Sequence, residues 1–298
     1  MRIIVAGSSG YIGTALVRRL REAGHELLRL VRREPDRPDE VHWRPDRQDL
    51  DPNVVDGAQA VINLTGAGIG DRRWTGEYRK LLRSSRVNPT QALAKAITLA
   101  TDPPRVLLNA SAVGYYGDAG DTELDESAPP GTDFLGGLCQ DWEAATQPAE
   151  EAGIRVVHLR TGLVLGPGGL LKPLLRLYRV GLGGRLGSGR QWMPWISLAD
   201  EVGAIEFLLD AERVSGAANL TGPAPVRNSE FTRTLGELLR RPAVLPVPAV
   251  ALRVAIGEFG PESLASQRAV PAALTAAGYP FRHDTLTAAL SWVLAGSA

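Results

Sequence analysis

Cysteine is nearly absent: the 298 residues hold one, Cys139. A single thiol excludes an internal disulfide and any zinc site built on several cysteines, and it suits a reducing compartment. The four histidines lie far apart, with no metal-ligand spacing, so no metal is expected. A surplus of charge is missing too. The 33 basic residues balance 33 acidic ones, which gives no bias toward nucleic acid or an anionic membrane. No apolar run reaches the length of a membrane span. The apolar opening is cut short by Gly7, a poor start for a secretion signal. These absences lead to the expectation of a cytoplasmic protein, monomer or homodimer, whose partner is a small molecule. Lysine is also scarce, with only Lys80, Lys95 and Lys172.

What is present begins with a strand, a glycine turn and a helix. Ile3-Ile4-Val5-Ala6 is a continuous apolar run, as in a strand covered on both faces. After Gly7 to Gly13, Ile12, Ala15, Leu16 and Leu20 fall on one helical face, and Gly24 ends the helix. Glu26 to Val31 reads as a second strand, completing a βαβ unit. The alternation continues with a strand at Ala60 to Leu64 and helical stretches at Tyr78 to Arg83 and Thr90 to Ala100. A strand starting at Arg105 to Leu108, a long helix over Phe134 to Glu151 and a strand at Val156 to Leu159 follow. The pattern predicts an α/β fold with a Rossmann doubly wound parallel sheet. After residue 165, glycine clusters and prolines divide the chain into shorter elements. The expected layout is a dinucleotide-binding domain over 1–165, with 196–222 returning to it, and a smaller C-terminal substrate domain from 166–195 and 223–298.

Gly7-Ser8-Ser9-Gly10-Tyr11-Ile12-Gly13 is the strongest motif. Glycines let the backbone turn tightly and approach a pyrophosphate, and the helix N-terminus offers free N–H groups. Placed between strand and helix, the spacing predicts a dinucleotide site. Val31-Arg32-Arg33 closes the second strand. A carboxylate there selects NAD, whereas an arginine suits the 2′-phosphate of NADP(H) through charge and its planar fork; the other reading is a solvated basic pair. Ser111, Tyr115 and Tyr116 follow the strand that starts at Arg105, at the end that faces a ligand crevice. Ser111 and Tyr116 are the candidates for polarising or protonating a substrate oxygen, against a plain polar turn. Asn88 before Pro89 reads as a helix cap or a ligand contact, and Arg86 as a phosphate contact. Gly181 to Gly189 and Trp192 are expected to border a cleft between domains, and Arg160 with Asp200 to form a structural pair.

The glycine turn, Val61-Ile62-Asn63-Leu64 and Ser111 to Gly117 together resemble the extended, epimerase-like branch of the short-chain dehydrogenase/reductase superfamily. The chain is most similar to an uncharacterised subgroup of NAD-dependent epimerase/dehydratase-like oxidoreductases that carry their own C-terminal domain of unknown function. The segments that carry this are Ser85-Arg86-Val87-Asn88, Leu138-Cys139-Gln140-Asp141-Trp142-Glu143, Arg160 to Gly166, Gly187 to Trp192 and Gln267 to Pro271. The resemblance implies NADP(H) as cofactor. It puts Leu64 and Thr65 on the adenosine side, with Gly66 after them in the cofactor site, Arg86 at a phosphate, and Val164 near the nicotinamide end. With the turn residues Gly7, Gly10, Tyr11, Ile12 and Gly13 and the strand end Val31, Arg32 and Arg33, these make up the expected cofactor site.

The superfamily's catalytic pair, Tyr-x-x-x-Lys, is missing. The residues four beyond each tyrosine are Ala15, Leu82, Ala119, Gly120, Leu182 and His283. Leu135 and Cys139 stand about where the tyrosine and lysine belong. Two readings follow: an NADP-dependent oxidoreductase or epimerase-like enzyme with an atypical catalytic set, or a non-catalytic NADP(H)-binding sensor on the same fold.

Overall fold

A computed structural model describes residues 1–248, 250, 257 and 259–296. Seven parallel strands form its central sheet: β1 (Arg2–Ala6), β2 (Glu26–Val31), β3 (Glu40–His42), β4 (Ala60–Asn63), β5 (Val106–Ala112), β7 (Arg155–Thr161) and β11 (Gly216–Leu220). Their order is β11-β7-β5-β4-β1-β2-β3. The chain thus runs outward from β1 in both directions, and ligand crevices in such sheets open at the carboxyl ends of the strands where the order reverses.

Helices cover both faces. On one, α1 (Tyr11–Glu22) and α6 (Leu198–Asp210) bury Leu16, Leu20, Ile205 and Leu208 against Ile3, Val5, Ile62 and Leu108. On the other, α2 (Gly76–Leu99) and α4 (Gln147–Glu151) bury Leu93, Ile97 and Ala149 against Ile4, Val61 and Leu107. This is why the central strands read as unbroken apolar runs: each lies between two helical layers.

A second core holds Leu165, Trp195, Phe231 and Leu290 together, drawn from α5 (Leu171–Arg179), α7 (Asn228–Leu239), the C-terminal helix Leu286–Leu294, and the strand pair β8 (Leu163–Leu165) and β10 (Trp195–Ser197). Two further pairs, β6 (Glu123–Leu124) with β13 (Arg268–Ala269) and β9 (Trp192–Met193) with β12 (Val226–Arg227), tie the later chain to the earlier. The segment around Leu274, Tyr279 and Phe281, expected in the smaller domain, packs instead against the sheet core.

Three local expectations are corrected. Asn88 does not cap a helix: α2 runs unbroken from Gly76 to Leu99 with Pro89 inside it, and its cap is Thr75, whose hydroxyl accepts from the Tyr78 N–H at 3.2 Å. Packing overrides proline's helix-breaking tendency here, since Pro89 and Thr90 are buried and the Thr90 hydroxyl donates to the Arg86 carbonyl at 2.8 Å. The long helix over Phe134 to Glu151 is two helices, α3 (Phe134–Ala144) and α4. Pro148, at the start of α4, has no N–H to continue the first. Ser111 lies inside β5 rather than after it, and a 3₁₀ turn, Val113–Tyr116, follows.

Candidate functional site

The glycine turn sits at the carboxyl end of β1. Gly7 adopts φ 81°, where a Cβ would also lie 2.5 Å from the Leu64 carbonyl oxygen. Gly13 lets α1 press onto the turn, because a Cβ there would fall 2.2 Å from the Gly7 oxygen. Gly10 caps α1 with extended backbone, with no side chain closing the cap and no acid in the first turn. The first-turn N–H groups have no intrahelical acceptor and stay available to an anion. Tyr11 packs over Gly166, Gly168 and Gly169, and its hydroxyl accepts from the Gly168 N–H at 3.3 Å. A Cβ at Gly166 would sit 2.1 Å from that hydroxyl, so the glycines after β8 make room for the tyrosine. Burial pushes the Tyr11 phenol up. Ile12 is half-buried on the sheet core.

At the end of β2, Val31 is half-buried and the two arginines part. Arg33 donates to Glu40 at 2.7 Å and pairs with Asp36 at 3.0 Å. That guanidinium, with Arg29 beside it, holds the Glu40 carboxyl down at about 2. Arg32 has no ion-pair partner among the described residues and lines a cavity of about 440 Å³.

On the other side of β1, the Leu64 N–H donates to the Ala6 carbonyl at 2.9 Å. Thr65 is held by Asn63, whose side-chain oxygen accepts from its N–H at 3.1 Å and its hydroxyl at 2.6 Å. Asn63 in turn donates to Thr90 at 2.9 Å and Asn109 at 2.7 Å, a buried network the sequence did not single out. Gly66 lies against Arg86, where a Cβ would be 3.1 Å from the guanidinium carbon. Arg86 is buried; it donates to the carbonyls of Leu82 at 3.0 Å and Ala67 at 2.9 Å and lies over the Trp142 ring. Burial lowers its pKa, and no carboxylate pairs with it among the described residues. Val164, in β8, pairs with Ile196 of β10.

Ser111 and Tyr116 meet in one buried network. Each is 4 % exposed. The Ser111 hydroxyl donates to Glu143 at 2.6 Å, and the Tyr116 hydroxyl donates to Asn219 at 2.7 Å. Arg160 joins them, donating to both Glu143 oxygens at 2.9 Å and to the Tyr116 oxygen at 3.1 Å, while stacking 3.4 Å from the Tyr115 ring centre. Burial costs Arg160 solvation, but the Glu143 carboxylate more than offsets it and holds the guanidinium charged. Burial pushes the Tyr116 phenol up. The expected Arg160–Asp200 pair does not form. Asp200 instead accepts from the Ser197 hydroxyl at 2.7 Å and from the N–H groups of Arg282 and His283, at the start of α6. Glu143 and Asn219 were missed in the sequence. Glu143 carried a faint signal, an acid four residues beyond Cys139 and so on the same helical side; Asn219 carried none.

Where the catalytic pair was sought, Leu135 packs on Gly114, which a Cβ would bring to 3.3 Å, and the Cys139 thiol is pushed by burial up to about 12. Trp192 is half-buried at a junction: its indole N–H donates to Asp121 at 2.9 Å, and Arg227 and Arg268 lie over its ring. From the glycine-rich segment, Arg185 borders a separate groove of about 730 Å³ beside α7. Among the described residues no helix is long and apolar enough to cross a membrane.

Comparisons with known proteins identify the family. Residues 3–220 match the NAD dependent epimerase/dehydratase family, and residues 247–293 match a domain of unknown function, DUF1731. Epimerase family protein Mb2239 of Mycobacterium bovis is 50 % identical over 97 % of this chain and 96 % of its own. The crystal structure of human epimerase family protein SDR39U1 with NADPH superposes with a TM-score of 0.90, at 35 % identity, over 98 % of this chain and 99 % of that one. A nucleoside-diphosphate sugar epimerase from Corynebacterium glutamicum superposes at 0.80, with 35 % identity, over 99 % of this chain and 58 % of that one. The chain belongs to the NAD dependent epimerase/dehydratase family.

Proposed function

We propose that this protein binds NADP(H) and acts as an epimerase-like oxidoreductase on a small-molecule substrate, without the Tyr-x-x-x-Lys pair. The observation that carries the cofactor reading is the open N-terminus of α1 after β1, with Arg32, free of ion pairs among the described residues, just past the end of the neighbouring strand β2. The turn residues Gly7 to Gly13 would receive the pyrophosphate, Arg32 the 2′-phosphate, and Leu64 and Thr65 the adenosine side, with Gly66 next to them. Arg86 would lend charge from beneath Gly66, and Val164 would lie toward the nicotinamide end. The NADPH in the human SDR39U1 structure supports the choice of cofactor. The cofactor, when bound, supplies or accepts a hydride. The second core, with 166–195 and 223–298 apart from the sheet-packed segment around Leu274 to Phe281, is read as the substrate half, and the cytoplasm as the compartment.

Ser111 and Tyr116 are the proposed groups acting on a substrate oxygen. One observation favours the second reading, a cofactor-binding protein without turnover: both hydroxyl protons are already donated, to Glu143 and to Asn219. The test is NADPH oxidation against panels of carbonyl compounds and nucleotide sugars. In the catalytic reading one substrate turns over, and Ser111→Ala and Tyr116→Phe each lower kcat by about 10²–10⁴. Turnover untouched by both variants rejects the residue assignment. No turnover on any panel member, with NADPH still bound, selects the second reading.

A further inference from the structure

The cavity at the end of β2 is lined from two elements. Arg32 lies just past the end of β2, and His42, Arg44 and Arg47 come from the end of β3 and the 3₁₀ turn Pro45–Arg47 that Arg44 precedes. We propose that Arg44 and Arg47 complete a phosphate clamp with Arg32, so that the 2′-phosphate of NADP(H) is recognised by guanidinium groups from both sides of one cavity. This rests on the NADP(H) reading above and adds the residues that set its selectivity.

The arginines nearby each have an ion-pair partner: Arg21 and Arg29 pair with Asp39, Arg29 and Arg33 with Glu40, and Arg37 with Asp36. Arg32, Arg44 and Arg47 have no ion pair among the described residues. The cavity's acids, Glu34 and Asp46, number two against these three arginines. Like charges converging on one small space favour a compact anion between them, and a guanidinium fork matches phosphate oxygens in pairs.

The segment that carries Arg44 and Arg47 is anchored. Trp43 is buried in the core on the α2 side, and its N–H donates to the Val31 carbonyl at 3.0 Å, binding this segment directly to the β2 end. Pro45 is buried, and Gln48 closes the turn at φ 51° with its N–H on the Pro45 carbonyl at 3.1 Å. Arg44 bridges Asp49 through the backbone, and the Gln48 side chain reaches Gln91 of α2. The two arginines therefore project from a fixed platform. In this fold the end of the second strand faces the adenosine ribose.

The test is calorimetric titration of the full chain with 2′,5′-ADP and with 5′-AMP, which differ only in the 2′-phosphate. The inference predicts that Arg44→Ala weakens 2′,5′-ADP by about 10-fold, as one charged hydrogen bond of roughly 1.5 kcal/mol requires. Arg44→Ala with Arg47→Ala weakens it further, while 5′-AMP affinity stays within about twofold of wild type. Both residues are exposed, so the melting temperature of the variants serves as a check on folding. If both variants hold 2′,5′-ADP as the wild type does, and the wild type still prefers it to 5′-AMP, the clamp is wrong and the NADP(H) reading stands. A wild type with no preference between the probes overturns both.

Discussion

Single residues here differ less in kind than in whether they have partners. Glu201, on α6, is wholly buried; the Thr161 hydroxyl donates to one of its oxygens at 2.9 Å, and the other has no hydrogen-bond partner among the described residues. Burial pushes its carboxyl from 4.5 up to about 8. Unfolded chains ionise this acid near 4.5, whereas the folded protein keeps its proton until about 8. The native state thus binds more protons across that window, and the stability from a neutral Glu201 is full below it and lost as pH rises through it. Glu201→Gln removes the ionisation and keeps the shape. The expected result is a melting-temperature difference that moves in the variant's favour between about pH 5 and pH 8; parallel curves for the two proteins would contradict it. Arg32 and Arg33 make the same point about partners. The sequence offers two adjacent arginines, and only the fold shows that Glu40, delivered by an unforeseen third strand, takes one and leaves the other.

At the scale of elements, what could be read in the sequence was whatever burial writes as a period. The strands from Ile3 and Val61 and the helix carrying Leu16 and Leu20 were legible because both faces, or one stripe, must be apolar. Residues Glu40–His42 were not, since a three-residue edge strand has no room for a pattern. The break between α3 and α4 was in plain view as Pro148, but the apolar periodicity around it outweighed it; at Pro89 the error ran the other way. The cofactor turn was legible because its glycines answer a backbone constraint, and this gives a sharp expectation. Gly13→Ala drives a Cβ into the Gly7 carbonyl, a backbone group that cannot rotate away. It should cost about 1–3 kcal/mol as overpacking, a fall of several degrees in melting temperature, and weaken NADPH binding with it. Gly76→Ala, where nothing lies within 4 Å, is the control and should leave both unchanged. A Gly13→Ala protein as stable as wild type would show that α1 does not press on the turn.

Across the whole molecule, the later chain is stitched back to the sheet rather than appended to it. Asn219, in β11 at the sheet edge, donates to the Leu124 carbonyl at 3.3 Å and the Val270 carbonyl at 2.9 Å, while accepting from Tyr116. Asp200 receives the backbone of Arg282 and His283, and the Tyr279 hydroxyl donates to its carbonyl at 3.1 Å. None of this was legible. The strands that join tail and sheet are two residues long, too short for periodicity, and the side chains that hold them are far apart in sequence. The same holds for the candidate chemistry: Ser111 and Tyr116 stood out by type, but that Glu143, Arg160 and Asn219 already engage them is a property of the assembled fold.

The central claim is that the glycine turn and the arginine at the end of β2 make this an NADP(H) site. Calorimetric titration of NADPH and NADH against the wild type and Arg32→Glu measures it most directly. A charged hydrogen bond to the 2′-phosphate, at about 1.5–3 kcal/mol, gives the wild type a preference for NADPH of roughly 10- to 100-fold. In Arg32→Glu, where a carboxylate repels the phosphate and accepts from a free 2′-hydroxyl, the preference should vanish or reverse. Equal wild-type affinity for the two cofactors, or a variant that keeps the NADPH preference, would contradict the account.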